Sequence, residues 1–320
     1  MPSIFVHEAL SVHGPGQDEL AEAGREMRDA IAGDLSRIGG LTVTVAISEQ
    51  EGLDATGPWI RTVTPLPGEE AVEFVRRQSR LHDLCWVVAP ETGGLLSSLH
   101  EATGDARWIG CSGPAIRLTS SKRATCAALA EAGILTPLAF AAGHDGPWIV
   151  KPDDGAGSLD TRRHDTREAA EADLRQRQGC RQSAVAEPFV PGEPLSISLI
   201  AGPVLARPIA FNRQRLHLDG DGTLHDLGVQ AAAIAATDPR AATLHALATR
   251  VSAAIPGLRG YVGIDVVWNE REGPVVIEVN PRVTCAYVGL SALLRRNLAA
   301  DILAVHAHCQ VRKAAAHASP

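Results

Sequence analysis

Two carboxylates and an amide lie close together near the C-terminal end of the chain, in Gly260-Tyr-Val-Gly-Ile-Asp265-Val-Val-Trp268 and Pro274-Val-Val-Ile-Glu278-Val-Asn280-Pro-Arg282. Both stretches have the β-branched, apolar character of strands, and the short segment 269–273 between them makes a hairpin. Pairing Trp268 with Pro274 and counting back puts Asp265 opposite Ile277, one residue from Glu278. Period-two alternation then places Asn280 on the face that carries Glu278. Two carboxylates on an otherwise apolar hairpin end repel one another unless a cation lies between them. Hard oxygen donors of this kind suit Mg2+ with bound phosphates, with Mn2+ as the other candidate. The competing reading is a strand-end cluster held by loop N–H groups or by Arg282.

A cation census points to the same chemistry. Of 30 basic residues only Lys122, Lys151 and Lys313 are lysine, the rest being arginine, so each lysine invites a reason. Lysine is a compact ammonium that reaches a phosphate oxygen in a tight pocket, where the wide guanidinium fork does not fit. Lys313 reads as a solvated tail residue. Lys151 ends the strand Trp148-Ile-Val-Lys151-Pro152 and is followed by Asp-Asp-Gly155-Ala-Gly157-Ser158, a loop whose glycines let backbone N–H groups turn toward an anion. Alone, such a loop is more often an ordinary turn.

The elements that must position these residues follow from the hydrophobic pattern. A β-α-β-α-β start is predicted, with strands over 3–7, 41–47 and 84–89 and helices over 18–38 and 69–82. No GxGxxG follows the first strand, and GxxxxGK[ST] is absent from the whole chain, which removes the dinucleotide fingerprint and the ordinary P-loop. After a boundary near residue 115 come a helix opened by Ser120-Ser121, a strand over 147–151, a helix over 166–178, strands over 183–190, 195–200 and 204–211, a helix over 240–254 and the final hairpin.

Composition narrows the function classes. A length of 320 residues suggests about two domains. The net charge of -7, with no basic block, disfavours nucleic acid as a partner. No membrane-length apolar run and no basic signal-peptide start are present, so membrane association is not expected and a cytoplasmic location is. The six cysteines show no metal or disulfide spacing and read as reduced, mostly buried thiols. His306, His308 and Cys309 are close in sequence but belong to an Ala-rich stretch that reads as a frayed tail rather than a metal site.

Lys122 after Ser-Ser, the strand lysine of Ile149-Val-Lys-Pro, the loop Gly155-Ala-Gly-Ser, the segment Ala186-Glu-Pro-Phe-Val-Pro-Gly-Glu193, and Asp265 followed by Glu278-Val-Asn-Pro-Arg282 together resemble the ATP-grasp superfamily of carboxylate-amine ligases. The resemblance runs from about residue 80 to 305. It implies α/β and α+β architecture: an N-terminal α/β (pre-ATP-grasp) substrate domain over 1–114, an ATP-grasp domain over 115–305 with a lid subdomain at about 135–190 and a C-terminal catalytic subdomain, and a tail over 306–320.

The resemblance further implies an ATP site. Lys122 and Lys151 would contact phosphates, Gly155, Gly157 and Ser158 would close over them, and Glu187, Phe189 and Val190 would form the hinge that reads adenine. Asp265, Glu278 and Asn280 would bind Mg2+, and Arg282 with Lys151 would serve the transferred phosphoryl group. One departure stands out: the second position after Gly192, where the family commonly carries a ribose-binding glutamate, is Pro194. Glu193 is the substitute and Glu187 the fallback.

Within the superfamily, Ala89-Pro-Glu91-Thr, Phe211-Asn212-Arg-Gln214, Asn280-Pro-Arg-Val-Thr284 and Tyr287-Val-Gly-Leu look like the tyramine–glutamate ligases of methanofuran biosynthesis and their bacterial relatives. That implies joining the γ-carboxyl of L-glutamate to tyramine or tyrosine through an acyl-phosphate, in a methanofuran or methylofuran pathway. Ligases of other specificity, for dipeptides or amino acids, and an ATP-binding regulatory module without ligase chemistry are the alternatives. Glu8, Glu91, Asn212, Gln214, Thr284 and Tyr287 are the substrate candidates, with Phe211, Trp268 and Tyr287 as walls of an aromatic slot. A homodimer is the default assembly.

Overall fold

A computed structural model of the protein describes residues 1–14, 19–49, 51, 57–155, 157–202 and 206–317, with side chains described as far as residue 310. Ala156, Val204 and the side chain of Lys313 therefore lie outside the described residues.

Among the described residues, three sheets organise the fold. The first is parallel, in the order β3-β2-β1-β4, from β1 (Ser3–Glu8), β2 (Thr42–Ala46), β3 (Ile60–Val63) and β4 (Leu84–Val88). β1 and β4 are buried almost throughout because helices cover them, as parallel sheets require, whereas β2 alternates and the edge strand β3 is half-exposed. Those helices are α1 (Ala9–His13), α2 (Glu19–Ser36), α3 (Ala71–Ser79) and α4 (Leu95–Thr103). Two capped helices lead into the rest of the chain. Ser112 accepts from the Ala115 N–H to open α5 (Gly113–Thr119), and Ser121 accepts from the Ala124 N–H to open α6 (Lys122–Glu131).

The second sheet is small and antiparallel, β6-β5-β7, built from β5 (Trp148–Pro152), β6 (Arg162–His164) and β7 (Ala184–Pro188) and backed by α7 (Arg167–Gly179). The third, β10-β9-β8-β11-β12, is antiparallel and comprises β8 (Glu193–Ala201), β9 (Ala206–Leu218), β10 (Leu224–Ile234), β11 (Gly260–Asn269) and β12 (Gly273–Asn280). Leu244, Leu247 and Val251 of α8 (Ala241–Ala254) share a core with Ile197, Val262, Ile264 and Val276 of that sheet. A short α9 (Leu290–Leu293) and α10 (Leu298–His317) finish the fold.

The predicted strands and helices correspond to observed elements, while α1, β3, α4, α5, β6, β10, α9 and α10 go beyond the sequence reading. β10 continues a hairpin from β9 through Asp219-Gly-Asp-Gly, flanked by Leu216 and Leu218 on one side and Leu224 on the other. That is a turn signal with alternating apolar residues. The expected tail over 306–320 is corrected: the chain stays helical to His317, and His306 and Cys309 are buried on α10. Among the described residues, no three His, Cys, Asp or Glu side chains form a metal-ligating group, and no helix is long and apolar enough to cross a membrane.

Candidate active site

The register of the last hairpin differs from the count made on sequence, and the difference builds the site. Trp268 pairs with Pro274 and Val266 with Val276, but Asp265 pairs directly with Glu278 because the ladder shifts between Asp265 and Val266. Ile277 is the extra residue of a β-bulge. Without it, strict alternation from the buried Val276 would turn Glu278 into the core. The bulge instead brings Glu278 and Asn280 onto the face of Asp265, away from the buried Ile264, Val266 and Val279.

Asn280 Nδ2 donates to Asp265 Oδ2 at 3.1 Å. Burial, and next the Glu278 carboxylate, push the Asp265 carboxyl up to about 7, against that amide donor. Two carboxylates and an amide oxygen are a donor set that fits Mg2+ or Mn2+ completed by phosphate oxygens.

Two lysines face this hairpin from other elements. Lys122, the first residue of α6, places Nζ 3.0 Å from Glu278 Oε1 and 2.5 Å from the Gly155 carbonyl oxygen, to which it donates. Lys151 on β5 pairs with Glu187 on β7, Nζ to Oε1 at 2.5 Å. Ile149 is the register partner of Glu187, so Lys151 and Glu187 are diagonal neighbours on one face. Burial works against the Lys151 ammonium, but Glu187, its ion pair and Glu278 outweigh it and raise the pKa. Such pairs keep buried charges compensated while leaving a cation that a phosphate can claim.

Between the second and third sheets lies a cavity of about 290 Å3. Its ionic end is Lys122, Lys151, Glu187, Asp265 and Glu278, and its loop wall includes Gly155 and Ser158. Phe189 and Val190 line it with Ile149, Leu159, Leu216, Leu218 and Leu224, giving an apolar surface suited to a planar ring. Ser158 adopts φ 58°, next to Gly157 at φ 66°, so the loop after Lys151 turns through two left-handed residues. At Gly192 a side chain is impossible, since a Cβ would sit 2.2 Å from the Trp268 carbonyl oxygen.

Several expected site residues are placed otherwise. Glu193 is turned from the cavity and bridges Arg213 at 2.6 Å and Arg240 at 2.5 Å, while Pro194 lines the cavity instead. Gln214 lines the cavity too, beside Pro194, Leu216 and Leu218. Asn212 is fully buried: its Nδ2 donates to Ser196 and Ser198 and its Oδ1 accepts from the Ala232 N–H, so it knits the sheet.

Tyr287 is 1% exposed and donates to Asp34 Oδ2 at 2.6 Å, so its hydroxyl is engaged in the core, while Phe211 and Trp268 are half-buried and pack against the core with one part still exposed. Glu8 is 2% exposed and accepts from the Ser11 N–H as the cap of α1. Burial raises its carboxyl pKa. Glu91 is buried against Arg282, with Nε and Nη2 donating to its two oxygens at 2.9 and 3.0 Å. Burial opposes the Arg282 charge, yet Glu91 raises its pKa. Thr284 sits over Gly263, its Oγ1 3.4 Å from the Tyr261 hydroxyl.

Sequence reasoning missed the apolar wall from Leu216, Leu218 and Leu224, although the Asp-Gly-Asp-Gly turn signalled it. It also missed Asp153, which accepts from Ser121 Oγ and the Arg123 N–H and ties the phosphate loop to the start of α6.

Residues 119–286 match the model of the ATP-grasp domain, and residues 41–116 match that of the pre ATP-grasp 3 domain. A protein named tyramine–L-glutamate ligase from Methanocaldococcus jannaschii is 29% identical over 210 residues, covering 65% of this chain and 58% of that relative's length. Among solved structures, a putative ATP-grasp superfamily protein from Archaeoglobus fulgidus superposes with a TM-score of 0.70 at 20% identity, over 95% of this chain and 88% of the other. L-amino acid ligase from Bacillus licheniformis gives 0.64 at 19% identity, over 91% and 69%. At these identities the structural likeness is one of fold.

Proposed function

The chain belongs to the ATP-grasp family, and on that premise we propose that it is an ATP-dependent, ADP-forming carboxylate–amine ligase. The observation that carries the reading is the convergence of Lys122, Lys151, Asp265 and Glu278 at one end of a cavity whose other end is apolar. A carboxylate oxygen bonds to the γ-phosphorus of ATP as the P–O bond to ADP breaks, giving an acyl-phosphate. A neutral amine then forms the C–N bond, the C–O bond to phosphate breaks, and the amine proton passes to solvent.

Lys122 and Lys151 would exchange their carboxylate partners for phosphate oxygens, and Arg282 would offset charge on the transferring group. Asp265, Glu278 and Asn280 would hold Mg2+ or Mn2+, which when bound neutralises phosphate charge. The loop 153–158 would keep water from the acyl-phosphate.

For substrates, the tyramine–L-glutamate ligase relative and the shared motifs support the γ-carboxyl of L-glutamate with tyramine or tyrosine, in methanofuran- or methylofuran-type biosynthesis. A second reading, an amino acid or dipeptide ligase, is favoured by one observation: Tyr287, the aromatic residue that follows the Asn280-Pro-Arg-Val-Thr284 motif, is buried with its hydroxyl on Asp34. Mass spectrometry of products from ATP, Mg2+, glutamate and competing amines separates the two. Coupling of alkyl amines or amino acids as fast as tyramine and tyrosine sinks the aromatic assignment. No ADP release with any carboxylate and amine sinks the ligase reading and leaves an ATP-binding module.

A further inference from the structure

One turn of the N-terminal sheet, Glu91–Gly94 after β4, is bonded both to Arg282, two residues beyond Asn280, and to the loop that follows Lys151. Glu91 holds Arg282 by a bidentate, nearly buried pair. Two residues on, the Gly93 N–H donates to Asp154 Oδ2 at 2.9 Å, and Thr92 Oγ1 donates to the Asp154 carbonyl at 3.3 Å. Asp154 belongs to the phosphate loop. Its neighbour Asp153 accepts from the N–H of Lys122 at 2.9 Å, and the next residue, Gly155, receives Lys122 Nζ. Gly93 and Gly94 have φ of 61° and 71° with open space around both, so glycine is needed there for backbone direction rather than room. That direction aims the Gly93 N–H at the loop. A fork-to-fork pair fixes the plane of a guanidinium, which a single contact does not.

We propose that Glu91 is a positioning residue that sets Arg282 for phosphoryl transfer, and that the turn Glu91–Gly94 couples this setting to docking of the phosphate loop. The inference rests on the ligase reading for its kinetic consequence. Its structural half, loop docking through Gly93, stands apart from that reading.

The experiment compares Glu91→Gln, Glu91→Asp and Gly93→Ala with the unaltered protein in three measurements: affinity for a non-hydrolysable ATP analogue, ADP and amide formed per turnover, and hydrogen exchange of residues 153–158 with the analogue bound. Glu91→Gln is expected to lower kcat by about 100-fold while analogue affinity shifts by less than about threefold. Glu91→Asp, which keeps the charge, should recover about tenfold of that loss, whereas a purely space-filling role would be met better by glutamine. Gly93→Ala should speed exchange in the loop and raise ADP released per amide formed, because an undocked loop admits water to the acyl-phosphate.

Normal kcat in folded Glu91→Gln, or equal loss of affinity and kcat, overturns the positioning role. Unchanged loop exchange in Gly93→Ala overturns the coupling. Absence of ADP release by the unaltered protein is instead a failure of the ligase reading, and the exchange measurement still decides the coupling.

Discussion

In the cavity between the second and third sheets, buried charges sit in pairs across neighbouring elements, Lys151 with Glu187 and Lys122 with Glu278. Away from that cavity the polar side chains are instead consumed by the fold: Asn212 within its sheet, Tyr287 on Asp34, Glu8 on the first turn of α1. The first arrangement is exchangeable, since an arriving phosphate can replace a carboxylate as the partner of a lysine. The second is not, because any ligand would have to break bonds that are already desolvated and complete. Charge that faces a cavity marks function more securely than polarity that merely follows a motif.

The sharpest test of the exchangeable end is Asp265→Ala or Glu278→Ala. Each removes one of two carboxylates from the face proposed to bind the metal, and ADP formation at limiting Mg2+ should fall at least about 1000-fold with folding retained. Turnover equal to the unaltered protein in either variant, read by an ADP-coupled assay, would break the comparison at its stronger side.

Lys151→Arg should follow with a loss of about 100-fold in kcat/KM, since a wide guanidinium cannot occupy the buried slot between Glu187 and the phosphate loop. Charge is kept, so near-normal ATP affinity and turnover would place this lysine outside the phosphate contact.

What sequence made legible follows the same division. The hairpin strands, the lysines and the phosphate loop were readable because their side-chain types are chemically expensive to bury and their spacing is local. The β-bulge at Ile277 was not readable, as one extra residue in a valine-rich strand leaves no compositional mark, yet it decides which face Glu278 occupies. β10 was passed over because its residues are mostly half-exposed and mixed in character. The pairing of Glu91 with Arg282 joins residues 191 positions apart, a separation that no local pattern encodes.

The ribose position sharpens the comparison at smaller amplitude. Glu193 is locked by Arg213 and Arg240 and turned from the cavity, whereas Gln214 lines it beside Pro194. Gln214→Leu should raise KM for ATP by about fivefold, the value of one hydrogen bond, and reduce any preference for ATP over 2′-deoxy-ATP. Glu193→Gln should leave both within about twofold. The reverse ranking in steady-state kinetics would return the ribose contact to Glu193.

The smallest effect on activity belongs to Tyr287→Phe, which tests the claim that the side chains consumed by the fold are structural. The hydroxyl donates to Asp34, whose carboxylate also accepts from Ser291 Oγ at 2.5 Å and pairs with Arg37. Removing one donor from a carboxylate that keeps two others costs about 1–2 kcal/mol, and the phenyl ring still packs on Trp86 and Tyr261. The expected outcome is a lower Tm with KM for the amine unchanged within about twofold, because the lost bond lies in the core rather than against a ligand. If instead KM for tyramine rose by more than about fivefold at unchanged Tm, Tyr287 would belong to the substrate wall, and the division drawn between the two arrangements would fail there.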